Sequence, residues 1–344
     1  MRVAVIATIL VALAGCGAQQ AAFNSAGVPA AGAAGARGTH ARTWMRADAK
    51  SSDLVYTSDF EGNVYVYTLP ALTFVGELAA LGANTVNLCS DAKGHVFVPV
   101  QNGGSGEVLE FEHAGTTPIA TISDTYEPLS CAVDPSSGDL ALANEEPGYA
   151  SDIAIYHRLK GTPKFFRDSA IAGYFSLGYD DAGNLFTVGN DSRETRHLLS
   201  LPKGAKALTE ISVDAGLRLS YAVQWDGEYM TIARMPFRRG TARIYRLQTT
   251  GSSATVVGTT KLSSPTKRFD GQTAIAGKMV VQPYSRRTDR LGIWPYPQGK
   301  AMSASVDVGA YINGVAVSFA KHDRRARIHT PIAGGQAQPT HPAI

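Results

Sequence analysis

The chain has 344 residues, of which 44% are hydrophobic, 18% are charged and 35 are glycine. This composition excludes a disordered chain and indicates a globular protein with many turns. The formal net charge is +3, from 32 basic and 29 acidic residues, which is too close to neutral for the whole surface to bind a polyanion. The composition therefore argues against nucleic acid as a partner.

The N-terminus has one arginine and then an apolar run that is too short for a membrane-spanning helix, which is typical of a secretion signal. The run ends in Leu13-Ala14-Gly15-Cys16, which resembles the lipobox of bacterial lipoproteins. The resemblance implies that residues 1–15 are removed and that Cys16 carries lipid, including palmitate, which would anchor the protein to a membrane. Gly17 after the cysteine favours the outer membrane. The alternative is an ordinary signal peptide with an incidental cysteine.

Residues 16–50 are rich in alanine and glycine and have no apolar period, so the sequence predicts a flexible tether. Residues 322–344 have a similarly irregular composition and are predicted to form a flexible tail. The folded part is therefore expected within residues 51–321.

One pattern recurs through this part of the chain. It is found in VNLCSDAKGHVFVPVQN at 86–102, in LSCAVDPSSGDLALANE at 129–145 and in FSLGYDDAGNLFTVGND at 175–191. Each segment contains an apolar strand, an Asp-x-x-Gly-like turn and a second strand that ends in polar residues. Two further strands follow each segment, and the whole unit recurs about every 42 to 48 residues, which is typical of propeller blades.

The two ends of the folded part complete each other. Residues 53–79 supply strands two to four of a blade, and INGVAVSFA at 312–320 supplies a first strand without the other three. Joining them removes the sheet edges that an open array would expose. The sequence therefore predicts an all-β, six-bladed β-propeller of four-stranded antiparallel blades, closed by the C-terminal strand joining the N-terminal blade. Five or seven blades are the alternatives.

Two residue types in the repeat have structural interpretations. The aspartates before the turns, Asp91, Asp134 and Asp180, are expected to accept hydrogen bonds from turn amides rather than to catalyse a reaction. Cys89 and Cys131 lie in predicted inner strands. An oxidising compartment would permit a disulfide between them, but free buried thiols are favoured because small buried thiols are common in such strands.

The repeated pattern and the closing strand resemble the six-bladed propellers of the NHL and SMP-30/gluconolactonase-like groups over roughly residues 53 to 321. Gluconolactonase-like enzymes hold a divalent metal with one Glu, two Asn and one Asp. Asn313-Gly314-Val315-Ala316 resembles one of their motifs, whereas Phe269-Asp270-Gly271 is only a fragment of another. The resemblance implies an alternative function, a metal-dependent lactonase-like hydrolase with a divalent metal such as calcium. Its candidate ligands are Asp59, Asn144, Asn190 and Asn313.

The first polar residues after the second strands are candidate binding residues. In a propeller these positions converge on the mouth of the central channel, where binding sites concentrate. In this chain they are Asp59, Gln101, Asn144, Asn190, Arg234 and Gln282. Such a ring of donors and acceptors suits a polar small molecule, an ion or a peptide loop. The alternative is that short polar residues simply end strands.

Charge is divided among the loops on the same face. The acidic residues are Glu145, Glu146, Asp152, Asp191 and Glu194, and the basic residues are Arg234, Arg238, Arg239, Arg286, Arg287 and Arg290. Arginine side chains can hold a carboxylate or phosphate in a bidentate manner, and Tyr284 beside them can stack on a sugar ring. Arg238, Arg286 and Tyr284 are therefore added to the predicted ligand-binding residues.

Local catalytic motifs are missing from the sequence. The histidines and cysteines lack the spacing of a local metal site, and neither a nucleophile elbow nor a phosphate-binding glycine loop occurs. The sequence therefore predicts a non-catalytic protein without a cofactor, anchored by lipid in the bacterial cell envelope. Its expected partner is a polar or anionic small molecule, or an envelope protein, at the channel mouth. A purely structural envelope scaffold is a further alternative.

Overall fold

The computed structural model describes residues 42–145, 151–213, 222–234, 241–264, 266, 269, 271–285 and 289–321. Regular structure in these ranges consists of β-strands and one short 3-10 helix, η1 (Ala47–Ser51). No helix within them is long and apolar enough to cross a membrane.

The strands are numbered in chain order. The first thirteen are β1 (Trp44–Met45), β2 (Leu54–Asp59), β3 (Val64–Thr68), β4 (Phe74–Leu78), β5 (Asn84–Thr85), β6 (Cys89–Ser90), β7 (Val96–Gln101), β8 (Gly106–Phe111), β9 (Ala120–Asp124), β10 (Glu127–Val133), β11 (Leu140–Glu145), β12 (Ser151–His157) and β13 (Lys160–Phe166). The remaining strands are β14 (Gly173–Tyr179), β15 (Leu185–Asn190), β16 (Arg196–Leu201), β17 (Thr209–Val213), β18 (Ala222–Trp225), β19 (Met230–Arg234), β20 (Ala242–Thr250), β21 (Ser253–Leu262), β22 (Ala274–Ala276), β23 (Met279–Tyr284), β24 (Arg290–Pro295), β25 (Ala304–Asp307) and β26 (Ile312–Ser318).

These strands form antiparallel blades of four strands each. The closing blade has the order β4-β3-β2-β26, blade two contains β5 to β9, blade three β10 to β13, blade four β14 to β17, blade five β18 to β21 and blade six β22 to β25. In blade two the first strand is split, because β5 and β6 both pair with β7. Blades four and five also share a short parallel pairing of their outer strands, where Ser212 lies opposite Ser253 and Val213 opposite Ala254.

The blades form a closed ring. Their innermost strands contact one another in the cyclic order β26, β6, β10, β14, β18, β22 and again β26. Closure is made by antiparallel pairing of β26 with β2, in which Ala316 lies opposite Tyr56 and Val315 opposite Thr57. The predicted propeller fold, and its closure by the C-terminal strand, are confirmed.

An apolar core fills each of the six contacts between neighbouring blades. The alternation of side chains along each strand explains this arrangement, since successive residues point to opposite faces. In β2, Leu54 and Tyr56 pack against blade two, whereas Val55 packs against blade six. Each sheet therefore needs a neighbour on both faces, and only a ring gives every blade two neighbours.

The ordered part begins earlier than the sequence predicted. The composition predicts a tether over residues 16–50, but Trp44 and Met45 form β1, which pairs with β4 at the outer edge of the closing blade. Trp44 makes an edge-to-face contact with Phe74, and Ala49 of η1 is fully buried. The apolar side chains of this segment account for its attachment to the sheet. Residues 16–41 and 322–344, including Cys16, lie outside the described residues.

The expectation of free thiols is wrong, because Cys89 and Cys131 form a disulfide. Cys89 lies in β6 and Cys131 in β10, so the bond joins the inner strands of blades two and three. The strand pattern predicted burial of both residues, but it could not show that neighbouring inner strands bring their Cα atoms to 5.6 Å, which is within disulfide range.

The turn aspartates act as the sequence predicted. The Asp91 carboxylate accepts hydrogen bonds from the backbone N–H groups of Lys93 and His95, both at 2.8 Å. The Asp180 carboxylate accepts from Ala182 and Asn184 in the same way. These carboxylates therefore hold the turns between first and second strands.

Candidate functional site

The six predicted ring residues lie at or near the ends of equivalent second strands, on the face that we call the mouth. Asp59, Gln101, Asn190 and Arg234 end β2, β7, β15 and β19, and Asn144 and Gln282 lie within two residues of the ends of β11 and β23. The backbone position is thus equivalent in every blade. The environments of the six side chains differ sharply.

The Asp59 carboxylate is hydrogen-bonded within its own hairpin. Its carboxylate accepts hydrogen bonds from the backbone N–H groups of Glu61 and Asn63, from the Asn63 side-chain amide and from the Tyr65 hydroxyl, at 2.8 to 3.0 Å. The side chain is also buried. Four donors use the four lone-pair sites of a carboxylate, so Asp59 serves the turn in the same way as Asp91 and Asp180.

Three more ring residues are buried and bonded within the framework. The Gln101 side chain accepts a hydrogen bond from Asn84 Nδ2 at 2.6 Å. Asn144 Nδ2 donates to Asp124 Oδ1 at 3.1 Å, and Asn144 is fully buried. Gln282 accepts from the Thr273 hydroxyl. The Gln101 and Gln282 amides satisfy buried polar groups between strands, whereas Asn144 Oδ1 is buried without a hydrogen-bond partner. All three side chains are turned away from the solvent of the mouth.

Asn190 and Arg234 differ from the other four because both side chains are only half-buried. They belong to the facing blades four and five. Val188 and Ile232, which lie two residues earlier in the same strands, both pack in the core between these blades. Since residues two apart in a strand share a face, Asn190 and Arg234 face each other's blade at the mouth end of that core.

Of the remaining predicted binding residues, the structure describes only Tyr284. Arg238 and Arg286 lie outside the described residues, as do Glu146, Arg239 and Arg287. Tyr284 is buried in the core between blades five and six, where it makes an edge-to-face contact with Trp294. The alternation of side chains along β23 points Tyr284 into this core. Its ring is therefore not presented to the mouth.

Acidic residues of the mouth lie on blades three and four. Glu127 and Glu145 are directly opposed in β10 and β11. Partial desolvation by its surroundings, and then the negative charge of Glu127, raise the pKa of Glu145. Asp152 is buried, and Arg167 reaches to 3.9 Å from its carboxylate. The predicted acidic sector therefore contains an exposed glutamate and a buried aspartate on blade three. On blade four it contains Asp191, whose carboxylate accepts from the Arg193 and Thr195 N–H groups, and the exposed Glu194.

Asn313 and Gly314, which resemble a metal-binding motif, have packing roles in this structure. Asn313 Nδ2 donates to Asn87 Oδ1 at 3.4 Å. A Cβ atom on Gly314 would lie 2.3 Å from Val86 O, so the close approach of blade two requires glycine there. Across the described ranges, no group of three or more His, Cys, Asp and Glu side chains is arranged to hold a metal ion.

Sequence reasoning missed two glutamines that join inner strands. Gln224 accepts from the backbone N–H of Ile275 at 2.7 Å and donates to its carbonyl at 3.0 Å. Gln272 forms the same pair of bonds with Leu88, at 2.9 and 2.7 Å, and also accepts from Val315 N–H. An amide side chain can replace a strand neighbour in this way because it carries both a donor and an acceptor. No periodic signal marks these positions.

A pair of exposed aromatic rings lies at the mouth end of the closing blade. Phe60 follows β2 and Tyr311 precedes β26, and their rings stack with centroids 5.3 Å apart. They are 41% and 52% exposed. No local sequence pattern links the two residues, because they are separated by almost the whole propeller and meet only through ring closure.

The chain is a β-propeller protein, and comparisons with solved structures agree with this fold. One similar structure is a chain of a nidogen/laminin complex, with a TM-score of 0.59, 11% identity and coverage of 78% of this chain and 99% of that chain. Another is the β-propeller domain of Cps50 (Swd1) from Myceliophteria thermophila, with a TM-score of 0.50, 10% identity and coverage of 80% and 88%. No protein-family profile matches the sequence, and no curated protein matches it significantly. At such identities the similarity is one of fold alone.

Proposed function

We propose that this protein is a lipid-anchored extracytoplasmic β-propeller that binds a polar ligand or an envelope protein at its mouth and does not catalyse a reaction. Cys16 would carry the lipid, and the bacterial outer membrane is the favoured site of anchoring. The binding surface would lie at the mouth end of the contact between blades four and five.

The disulfide supports the extracytoplasmic location. Disulfides persist in oxidising compartments such as the periplasm and the cell surface, and they are rare in the cytosol. The Cys89–Cys131 bond lies at the centre of the fold, between the inner strands of two blades. A secreted chain with a lipobox-like Cys16 would pass through such a compartment.

The single observation that carries the binding proposal is that equivalent mouth residues differ in burial and in hydrogen bonding. Asp59 and Gln101 are buried and hydrogen-bonded within the framework, whereas Asn190 and Arg234 remain half-buried at the mouth. Polar groups that are already satisfied contribute little to a ligand, while accessible donors can exchange water for ligand oxygens. Binding therefore belongs to the blade four and five side of the ring.

Membrane fractionation of cells that produce the full chain or the Cys16→Ala variant tests the anchoring. We expect the wild-type protein in the outer-membrane fraction with radiolabelled palmitate attached, and the variant without label and outside that fraction. Retention and labelling of the variant would contradict lipid attachment at Cys16.

Capture from detergent-solubilised envelopes tests the binding. The full-length wild-type protein is compared with Asn190→Ala/Arg234→Ala and with a control, Arg46→Gln, which removes an arginine of a surface ion pair with Asp48. We expect a retained partner or ligand that the double variant loses and the control keeps. Metal analysis of the same wild-type preparation addresses the lactonase alternative, since a stoichiometric divalent ion together with lactone hydrolysis would favour the enzyme.

A further inference from the structure

Blade five carries three basic residues in one row, which we call the basic row. Arg234 of β19 lies directly opposite Arg243 of β20, and Arg243 lies directly opposite Lys261 of β21. Directly opposed residues project from the same face of a sheet with their Cβ atoms about 5 Å apart. The three cations therefore extend across roughly 10 Å of the sheet.

The basic row faces blade four. Ile244 and Leu262, which are the strand neighbours of Arg243 and Lys261, pack in the core between blades five and six. Because side chains alternate along a strand, Arg243 and Lys261 point to the opposite face. Arg234 shares that face, and Asn190 of blade four is turned towards it at the mouth end. We call the space that these four residues border the four-five cleft.

Nothing in the described part of the chain neutralises this row with an acidic side chain. Other arginines nearby do have carboxylate partners. Arg246 Nε lies 2.7 Å from Asp226, and an Arg290 nitrogen lies 3.1 Å from Asp307. Like charges placed directly opposite each other destabilise a sheet. The row contains two consecutive like-charge pairs on a face without carboxylate partners among the described residues. Their repulsion lowers the stability of the sheet locally, and an anionic ligand would remove it.

We propose that the four-five cleft binds an anion that carries at least two phosphate or carboxylate groups. This inference rests on the proposed binding function and gives it a ligand class. Guanidinium groups hold the two oxygens of a carboxylate or phosphate in parallel hydrogen bonds, and Lys261 adds a point charge. At least two anionic groups are required because one group cannot span cations about 10 Å apart at the ends of the row. The Asn190 amide adds a neutral donor from blade four.

Calorimetric titration of the full-length protein in neutral detergent micelles tests the proposal, with inorganic tripolyphosphate and citrate as probes. We expect stoichiometric binding of at least one probe, which weakens as salt is raised because exposed charges are screened. Arg243→Gln should weaken binding by about tenfold and Arg234→Gln/Arg243→Gln by about a hundredfold, as for hydrogen bonds to charged groups. Arg46→Gln, which removes the same charge elsewhere, should change the dissociation constant less than about twofold.

The melting temperature of the unliganded variants separates a binding role from a structural one. Because the basic row repels itself, Arg243→Gln should leave the melting temperature unchanged or raise it by about 1 to 2 °C. A clear fall in melting temperature, together with weaker binding, would mean that the arginine supports the sheet and would overturn the proposal. The Arg46→Gln control should show neither effect.

The source of the anionic groups is distinguished by adding cardiolipin, a lipid whose headgroup carries two phosphates, to the micelles. Competition with tripolyphosphate would identify a lipid headgroup as the ligand, and its absence would identify a soluble anion. Failure to bind tripolyphosphate, citrate and cardiolipin, or equal weakening by Arg46→Gln, would overturn the inference. If envelope capture still depended on Asn190 and Arg234 in that case, the proposed function would stand without this ligand class.

Discussion

The contact between the closing blade and blade two differs from the contact between blades four and five in how its polar groups are used. At the first, Ser58 Oγ donates to Val86 O at 2.7 Å and Ser90 Oγ donates to Val317 O at 2.8 Å. Tyr56 OH accepts from Ala114 N–H at 2.9 Å in the same region. At the second, Arg234 and Arg243 are directly opposed and have no acidic partner among the described residues.

The difference follows from the path of the chain. The closing blade is assembled from two distant segments, so its contact with blade two must be held by interactions that local sequence cannot supply. Blades four and five follow each other along the chain. They are also joined by the Val223 N–H, which donates to Ser176 Oγ at 2.9 Å, and by the pairing of β17 with β21. The polar residues named at the ring closure are therefore bonded within the framework, whereas Asn190 and Arg234 at the contact between blades four and five are only half-buried.

The largest expected effect concerns the disulfide between the inner strands of blades two and three. Cys89→Ala/Cys131→Ala removes a crosslink with a sequence separation of 42 residues. A loop of that length predicts a loss of about 4 kcal/mol in the free energy of unfolding. Urea unfolding of wild-type and variant protein measures the loss. Reductant should destabilise the wild type by a similar amount and leave the double variant unchanged, and an effect of reductant on the variant would contradict this assignment.

The next effect tests how closely β26 of the closing blade packs against blade two. In Gly314→Ala the new methyl group would lie 2.3 Å from both Ser58 Oγ and Val86 O. Such overpacking against backbone should lower the free energy of unfolding by about 2 to 3 kcal/mol. Gly251→Ala is a control without steric contact, because no atom lies within 4 Å of the added Cβ, and its φ of +59° adds a backbone strain that Gly314 does not have. The control should cost about 1 kcal/mol, and an equal loss in both variants would mean that β26 does not pack tightly on blade two.

A smaller effect compares two asparagines at equivalent places in the repeat. Asn144→Ala removes a buried amide that donates to Asp124, so we expect a loss of about 1 to 2 kcal/mol. Asn190→Ala should change the free energy of unfolding by less than about 0.5 kcal/mol, because the side chain is half-buried at the mouth. Urea unfolding of both variants at one pH makes the comparison. Equal losses would show that Asn190 is also a framework residue.

These contrasts also show what the sequence could predict. Strand alternation and the recurring turns were sufficient for the blades and for pairing of residues 53–79 with 312–320, because each blade repeats one local pattern. The same pattern placed Asn144 and Asn190 at equivalent positions. It could not distinguish them, since the partners of Asn144 come from strands that meet only in three dimensions.

The incorrect predictions have the same physical origin. The disulfide depends on the distance between two inner strands, and the attachment of Trp44 depends on Phe74 in a strand that follows it. The basic row was visible only in part, because Arg243 and Lys261 are 18 residues apart in sequence and are opposed only through the register of β20 and β21. Local pattern thus predicts the repeat, and register decides which of its polar residues remain available.

The smallest effect is a pH dependence of opposite sign in the two parts of the ring. At the closing contact, His113 Nδ1 lies 2.7 Å from Ser318 Oγ, and burial lowers the pKa of His113. In blade four, the hydrogen bond with Glu210 raises the pKa of His197. An unfolded histidine has a pKa of about 6.5. Unfolding therefore takes up a proton at His113 and releases one at His197 near this pH.

The contribution of His113 to the free energy of unfolding should thus decrease as the pH falls below about 6.5. The contribution of His197 should be fully present below that pH and be lost as the pH rises through its folded-state pKa. Urea unfolding of wild type, His113→Gln and His197→Gln across this range measures both. We expect His113→Gln to reduce the loss of stability in acid, whereas His197→Gln should be most destabilising in acid. The same pH dependence in both variants would mean that the closing contact and blade four do not differ in how they hold these two histidines.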